Sequence, residues 1–318
     1  MLFRSRNFDL VKRCLYLHAG TATDRGLVAT CLFERPAPVR GRNNILDYTA
    51  LFAPTVLEYL DASGDRATAE DLWPMCLRLL EFTLEYVDPD GLFQPPKSWW
   101  LFVDWNKNLD PQASEHAIVL FGLRATLDLA KRLGREPEAP FLPAAIEKME
   151  KAARAKLWDK DLGLFVSGKQ RQVSWASQAW MVLAGVPDAE QARSALQRVV
   201  VFGGAQKPVT PYMHHFVVEA MLKAGLRDEG LAHLRSYWGG MIARGADTFW
   251  EVWVPENELE SPYKTHLINS YCHAWSCTPS YFLRPPVPRA EGSPAPAEGG
   301  DVGVRRKFTT RVQSPADK

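Results

Sequence analysis

Residues 66–87 read RATAEDLWPMCLRLLEFTLEYV, and within them Leu72, Met75, Leu79, Phe82 and Tyr86 recur at intervals of three and four. That interval collects them on one face of an α-helix, where 3.6 residues make a turn, whereas a half-buried strand would alternate. Gly64-Asp65, immediately upstream, is a punctuator of the kind that ends helices and turns the chain. So short a link predicts that the helices on either side, 46–63 and 66–87, form an antiparallel hairpin.

Working outward, Leu120, Leu123, Leu127 and Ala130 repeat the helical spacing, and a second short link at 226–227 predicts another hairpin. Helices are expected over 6–18, 46–63, 66–87, 112–133, 140–157, 174–184, 188–200, 210–225, 228–243 and 265–282, and strand-like alternation is scarce. Longer non-helical stretches lie at 19–45, 91–110, 158–173, 201–209 and 244–264. They hold Trp99, Trp100, Asp104, Trp105, Trp250, Glu251 and Trp253. Aromatic and acidic residues gathered in connections, rather than on amphipathic faces, point to a site at one rim of a helical scaffold. Hairpins alternating with long loops suit an all-α toroid. Residues 286–318 are rich in Pro and small polar residues without apolar periodicity, and are expected to form a disordered tail.

Charge and composition narrow the function. The 318 residues carry 38 Lys and Arg against 37 Asp and Glu, a net charge of +1 that leaves no basic excess for nucleic acid or an anionic membrane. No run approaches the length of a spanning helix, and the charged N-terminus has no signal-peptide core, so a cytoplasmic chain is expected. Five cysteines without a CxxC pair predict reduced thiols and no zinc site. GxGxxG, Walker-A, HExxH, GxSxG and DDxxD stretches are all missing, and no cofactor or metal is expected. The 11 tryptophans ask for a large core or for a surface that stacks on flat ligands.

Three clusters could carry chemistry. In Gly245-Ala246-Asp247-Thr248-Phe249-Trp250-Glu251-Val252-Trp253, two tryptophans bracket one carboxylate, and Gly245 and Asp247 argue against a helix. Apolar walls around an acid raise its pKa, and stacking faces hold sugar rings, the combination glycoside hydrolysis uses. The bland alternative is a surface acid with the tryptophans packed beneath the loop. The second cluster, Ser98-Trp99-Trp100-Leu101-Phe102-Val103-Asp104-Trp105, again mixes stacking faces with an acceptor, or is a buried hairpin in which Asp104 caps a turn. The third, Tyr271-Cys272-His273-Ala274-Trp275-Ser276, places His273 on the last expected helix, where a core histidine is the alternative. Asp47, which could equally be a helix cap, and Trp175, with Tyr48, Tyr212, His214 and His215, are weaker candidates.

The runs TPYMHHFVVEAMLKAG, LRSYWGGMIARGADTFWEVW and SYCHAWSCTPSYFL, with ILDYTALFAPTVLEYLDASGD and YVDPDGLFQPPKSWWLFVDW upstream, resemble the (α/α)6 catalytic domain of bacterial α-L-rhamnosidases, glycoside hydrolase family 78. The resemblance covers roughly residues 2–285, and 1–285 is taken as a partial toroid domain. It implies inverting hydrolysis of terminal α-L-rhamnosides with Glu251 as general base. It also implies that His273 contacts the sugar and that Asp104, Trp100 and Trp105 line the same subsite; the residues themselves offer Trp250, Trp253, Trp175 and Asp47 as further substrate contacts. The family's general acid lies in an acid- and Arg-rich motif ending in Trp-x-Gly-Asp, which has no match in this sequence. About ten helices against the twelve of six hairpins predict a toroid incomplete by one hairpin, whose uncovered faces favour self-association. A non-catalytic sugar-binding toroid and another (α/α)6 glycosidase stand as alternatives.

Overall fold

The computed structural model describes residues 6–41, 44–97 and 99–283; the expected tail at 286–318 lies outside them. Helix α1 (Phe8–Gly20) leads through the antiparallel pair β1 (Leu32–Phe33) and β2 (Val39–Arg40) to α2 (Leu46–Ala50) and α3 (Phe52–Ser63). The expected helix 46–63 is thus divided at Leu51. Gly64, at φ +73°, ends α3, and the Asp65 carboxylate accepts from the Thr68 amide to start α4 (Arg66–Leu84), so the hairpin expected from the short link forms.

Helices α5 (Gln112–Leu133) and α6 (Leu142–Ala152) make the next hairpin. A small antiparallel sheet follows, in the order β3 (Trp158–Asp159), β4 (Leu164–Ser167), β5 (Gln172–Val173). Helix α7 (Trp175–Leu183) is capped by Ser174, and α8 (Ala189–Val201) carries a capping box of Asp188 and Gln191. Thr210 caps α9 (Pro211–Lys223), which pairs with α10 (Arg227–Ala243).

Helices α3, α5, α7 and α9 pack one on the next as an inner row, each backed by its hairpin partner α4, α6, α8 or α10. This is the layering of an (α/α) toroid. Because the hairpins are antiparallel, every inner helix starts at the same end of the molecule. Trp73, Trp180 and Trp238 are almost wholly buried in the scaffold, which accounts for three of the large aromatic residues. Between α1, α3 and α9 the row opens onto a cavity of about 590 Å³ walled by Val11, Leu15, Leu51, Phe52, Tyr212 and Trp275.

One expected helix is corrected. Residues 265–282 hold two single 3₁₀ turns (His266–Ile268 and Ala274–Ser276) and the five-residue α11 (Thr278–Phe282). The backbone there is already committed: Ser270 O accepts from Glu251 N at 2.8 Å, and His273 N donates to Phe249 O at 2.9 Å. Long-range pairing with the 249–253 segment takes the donors and acceptors a helix would need, overriding local propensity.

Close helix approach is visible at Gly122 of α5, where a Cβ would lie 2.5 Å from the Ala50 carbonyl oxygen of α2. Backbone cannot yield as a flexible side chain can, so Gly122→Ala is expected to destabilise the fold by about 1–3 kcal/mol, the usual range for overpacking. Urea unfolding of the variant beside the wild type measures it.

Candidate active site

The rim above the inner-helix N-termini is built from two connections, 99–110 and 244–273. Glu251 lies in the second with only 5% of its surface exposed. Its Oε1 accepts from the Tyr263 hydroxyl at 2.6 Å and its Oε2 from the Ser270 amide at 3.0 Å. The Trp275 indole N–H donates to the Glu251 carbonyl at 3.0 Å, and Ser276 Oγ to the Trp250 carbonyl at 2.5 Å. Backbone and side chain of Glu251 are therefore both fixed.

Aromatic rings enclose this carboxylate. Trp105 meets Tyr263 edge-on at 6.0 Å, Phe102 meets Trp105 edge-on at 4.9 Å, and Phe102 stacks on Trp275 at 5.7 Å with 14° between planes. His273 packs on Trp275 at 4.3 Å, while Trp100, 40% exposed, leans on Trp105 at 6.1 Å. Burial pushes the Tyr263 hydroxyl up to about 12, helped by the negative charge of Glu251, so it remains a donor at neutral pH. Burial lowers the His273 imidazole, with Glu251 opposing.

Glu251, Trp105, Trp100 and His273 thus lie in one chain of contacts through Tyr263 and Trp275. Trp250 stands beside them, edge-on to Trp253 at 5.4 Å and to Tyr271 at 5.5 Å. Trp253 is 4% exposed and packs with Val218, Trp238 and Met241, close to Gly240 of α10, so it supports the loop from below. Trp175 lies apart, tilted against His233, which is hydrogen-bonded to His214 at 2.8 Å.

The two aspartates face the scaffold. Asp104 accepts from Val209 N at 2.7 Å, Thr210 N at 3.0 Å and Thr210 Oγ1 at 2.6 Å, which closes the start of α9. Burial nevertheless raises its carboxyl to about 6, the hydrogen bonds working against it. Asp47 is 1% exposed and accepts from the Phe102 amide at 2.8 Å. Tyr263 and Phe102 were not singled out from sequence. Tyr263 sits in a polar run, NELESPYKT, that carries no local mark of a site, and Phe102 was hidden among stronger tryptophans. Among the described residues, no group of three or more His, Cys, Asp or Glu is placed to hold a metal ion, and no helix is long and apolar enough to cross a membrane.

The family model described as the bacterial alpha-L-rhamnosidase 6 hairpin glycosidase domain matches residues 2–287. The chain belongs to this family. A rhamnosidase from Klebsiella oxytoca, solved with rhamnose bound, superposes with a TM-score of 0.84 at 41% identity over 87% of this chain and 54% of that one. A family 78 rhamnosidase of Bacillus sp. GL1 gives 0.72 at 25% identity over 86% of this chain and 29% of that one. An N,N'-diacetylchitobiose phosphorylase of Vibrio proteolyticus is 23% identical over 174 residues, 46% of this chain and 21% of the relative. The rhamnosidase-like domain thus spans about half the length of the Klebsiella enzyme and less of the others. The family assignment establishes a six-hairpin glycosidase-like domain in which the rim just described is the candidate active site.

Asp104 gives this site a measurable support. Asp104→Ala would strip three donors at the start of α9 of their acceptor, and an expected loss of about 1.5–3 kcal/mol follows from the value of hydrogen bonds to a charged group. Asp104→Asn, which keeps one acceptor, should lose less; thermal unfolding of the two variants gives the ranking.

Proposed function

We propose that the chain is the catalytic toroid of an α-L-rhamnosidase, an inverting glycoside hydrolase in which Glu251 is the general base. The observation that carries the reading is the Glu251 carboxylate, held by Tyr263 and Ser270 inside a ring of aromatic side chains. A rhamnose-bound relative at 41% identity and the family match favour rhamnose as the sugar. In this reading the rings of Trp105, Trp100 and Trp250 offer stacking faces to the apolar side of a deoxyhexose, and His273 is a hydrogen-bond partner for its hydroxyls. Glu251 takes a proton from water as it attacks the anomeric carbon, and the two hydrogen bonds on its carboxylate keep that attack aligned.

Inversion also needs a second carboxyl group, separated from the base by about 6.5–9.5 Å, to protonate the leaving oxygen. Among the described residues the buried carboxyls Asp104 and Asp47 each accept from backbone amides of the scaffold or of the 99–110 connection. Substrates whose leaving group needs little protonation are therefore the most direct probes of the base. On a nitrophenyl α-L-rhamnoside, Glu251→Gln is expected to lower kcat by about 10²–10⁴-fold, the usual share of general acid–base catalysis. Equal rates for Glu251→Gln and the wild type would overturn the assignment. Tyr263→Phe should lower kcat less, since the Ser270 amide still holds Glu251.

A further inference from the structure

Beneath the aromatic ring lies a second pair of carboxyl groups that the proposed reaction does not use. Asp47, on α2, and Glu115, in the first turn of α5, are 1% and 0% exposed. The two helices pack on each other, each carboxyl acts electrostatically on the other, and neither forms an ion pair among the described residues. Of their four oxygens only Asp47 Oδ2 has a protein donor, the Phe102 amide; Asp47 Oδ1 and both Glu115 oxygens have none. Two ionised carboxylates so placed would repel in a medium of low dielectric with nothing to solvate them. One proton between them removes a charge and supplies the missing donor.

What this pair holds matters for the site. Phe102, anchored to Asp47 through its amide, stacks on Trp275, whose N–H donates to the Glu251 carbonyl. Phe102 also meets Trp105, which contacts Tyr263, the donor to the Glu251 carboxylate. Two aromatic routes therefore run from the pair to both ends of Glu251. We propose that Asp47 and Glu115 share a single proton, and that this shared proton positions Phe102 and with it the rings that hold Glu251. They are positioning residues, without contact to substrate. The second half of the inference rests on the rhamnosidase reading of Glu251; the first does not.

Two tyrosines titrate beside the pair and stay protonated: Tyr212 is raised well above the ordinary tyrosine value by burial and then by Asp47, Tyr48, Glu115 and Asp104, and Tyr48 is raised by burial and then by Asp47. Burial drives both carboxyls of the pair upward, Glu115 the further of the two. The sign for stability follows. A carboxyl that keeps its proton in the folded chain and loses it in the unfolded chain near pH 4.5 stabilises fully below that value, and progressively less as pH rises toward the folded value.

The test compares the full chain with Glu115→Gln, whose amide can donate to Asp47 without a proton to lose, and with Asp47→Asn, which neutralises the other member. Thermal unfolding between pH 5 and 9 should show the wild-type midpoint falling relative to both variants as pH rises. Near-ultraviolet circular dichroism of the tryptophans should change over the same range in the wild type and stay flat in Glu115→Gln. Wild-type and variant curves separated by a constant offset would overturn the shared proton; a shared proton with a flat dichroism signal in the wild type would overturn the positioning role. Where L-rhamnose binds, its wild-type affinity should weaken by about tenfold per pH unit beyond the titration, a slope Glu115→Gln removes. Absence of rhamnose binding in every protein, with the unfolding and dichroism results as expected, would count against the rhamnosidase reading and leave the proton in place.

Discussion

The carboxylate of Asp104 closes the start of a helix that begins more than a hundred residues later in the chain, through the amides of Val209 and Thr210 and the Thr210 hydroxyl. Much of the rim depends on that bond. The first N–H groups of an α-helix have no partner within it, and four inner helices present such groups at one end of this toroid. The connection 99–110 crosses that end and joins its helices: Asp47 at α2 accepts from Phe102, Asp104 holds Thr210, the residue that caps α9, and Asp110 N donates to Gln172 beside the α7 cap. A loop fixed at so many points can carry side chains to a precise place.

Helices whose signals are local were legible in the sequence. The α3–α4 hairpin needed only the spacing of Leu72, Met75 and Leu79 with Gly64 and Asp65, and its caps form as those residues dictate. The misreading of 265–282 came from the opposite situation, in which the hydrogen bonds of Ser270 and His273 are settled by Phe249 and Glu251, some twenty residues away. The same distinction divides the site. Trp250-Glu251-Val252-Trp253 was conspicuous, yet neighbours in sequence serve different surroundings. Trp253 packs under the loop with Trp238 and Met241, while the Glu251 carboxylate accepts from Tyr263. The walls of the carboxylate come from Tyr263, Trp105 and Trp275 instead, two of them distant in sequence and one of them, Tyr263, without any local pattern.

Donor arithmetic separates the buried acids that sequence alone could not tell apart. Asp104 has three donors and stands where a helix start needs an acceptor. Glu251 has two, from Tyr263 and Ser270, and lies against the aromatic ring. Asp47 and Glu115 have one between them, for four oxygens. Burial is expensive for each, and the expense is met differently: by two amides and a hydroxyl at Asp104, by a hydroxyl and an amide at Glu251, and by the proposed proton at Asp47 and Glu115, which a single amide reaches.

That ordering also explains why an apolar pair would not replace Asp47 and Glu115 cleanly. Burying hydrophobic side chains of similar volume often stabilises a core more than buried charge does. The Phe102 amide, however, is itself buried, and without Asp47 it would lose its acceptor, at about 1–3 kcal/mol for an unsatisfied buried group. An acid at position 47 is therefore required by the loop it anchors, and Glu115, set beside it on α5, makes that acid share a proton. The cost of the pair lies in the scaffold while its effect lies in the loop, and the aromatic stack from Phe102 through Trp275 to Glu251 joins the two.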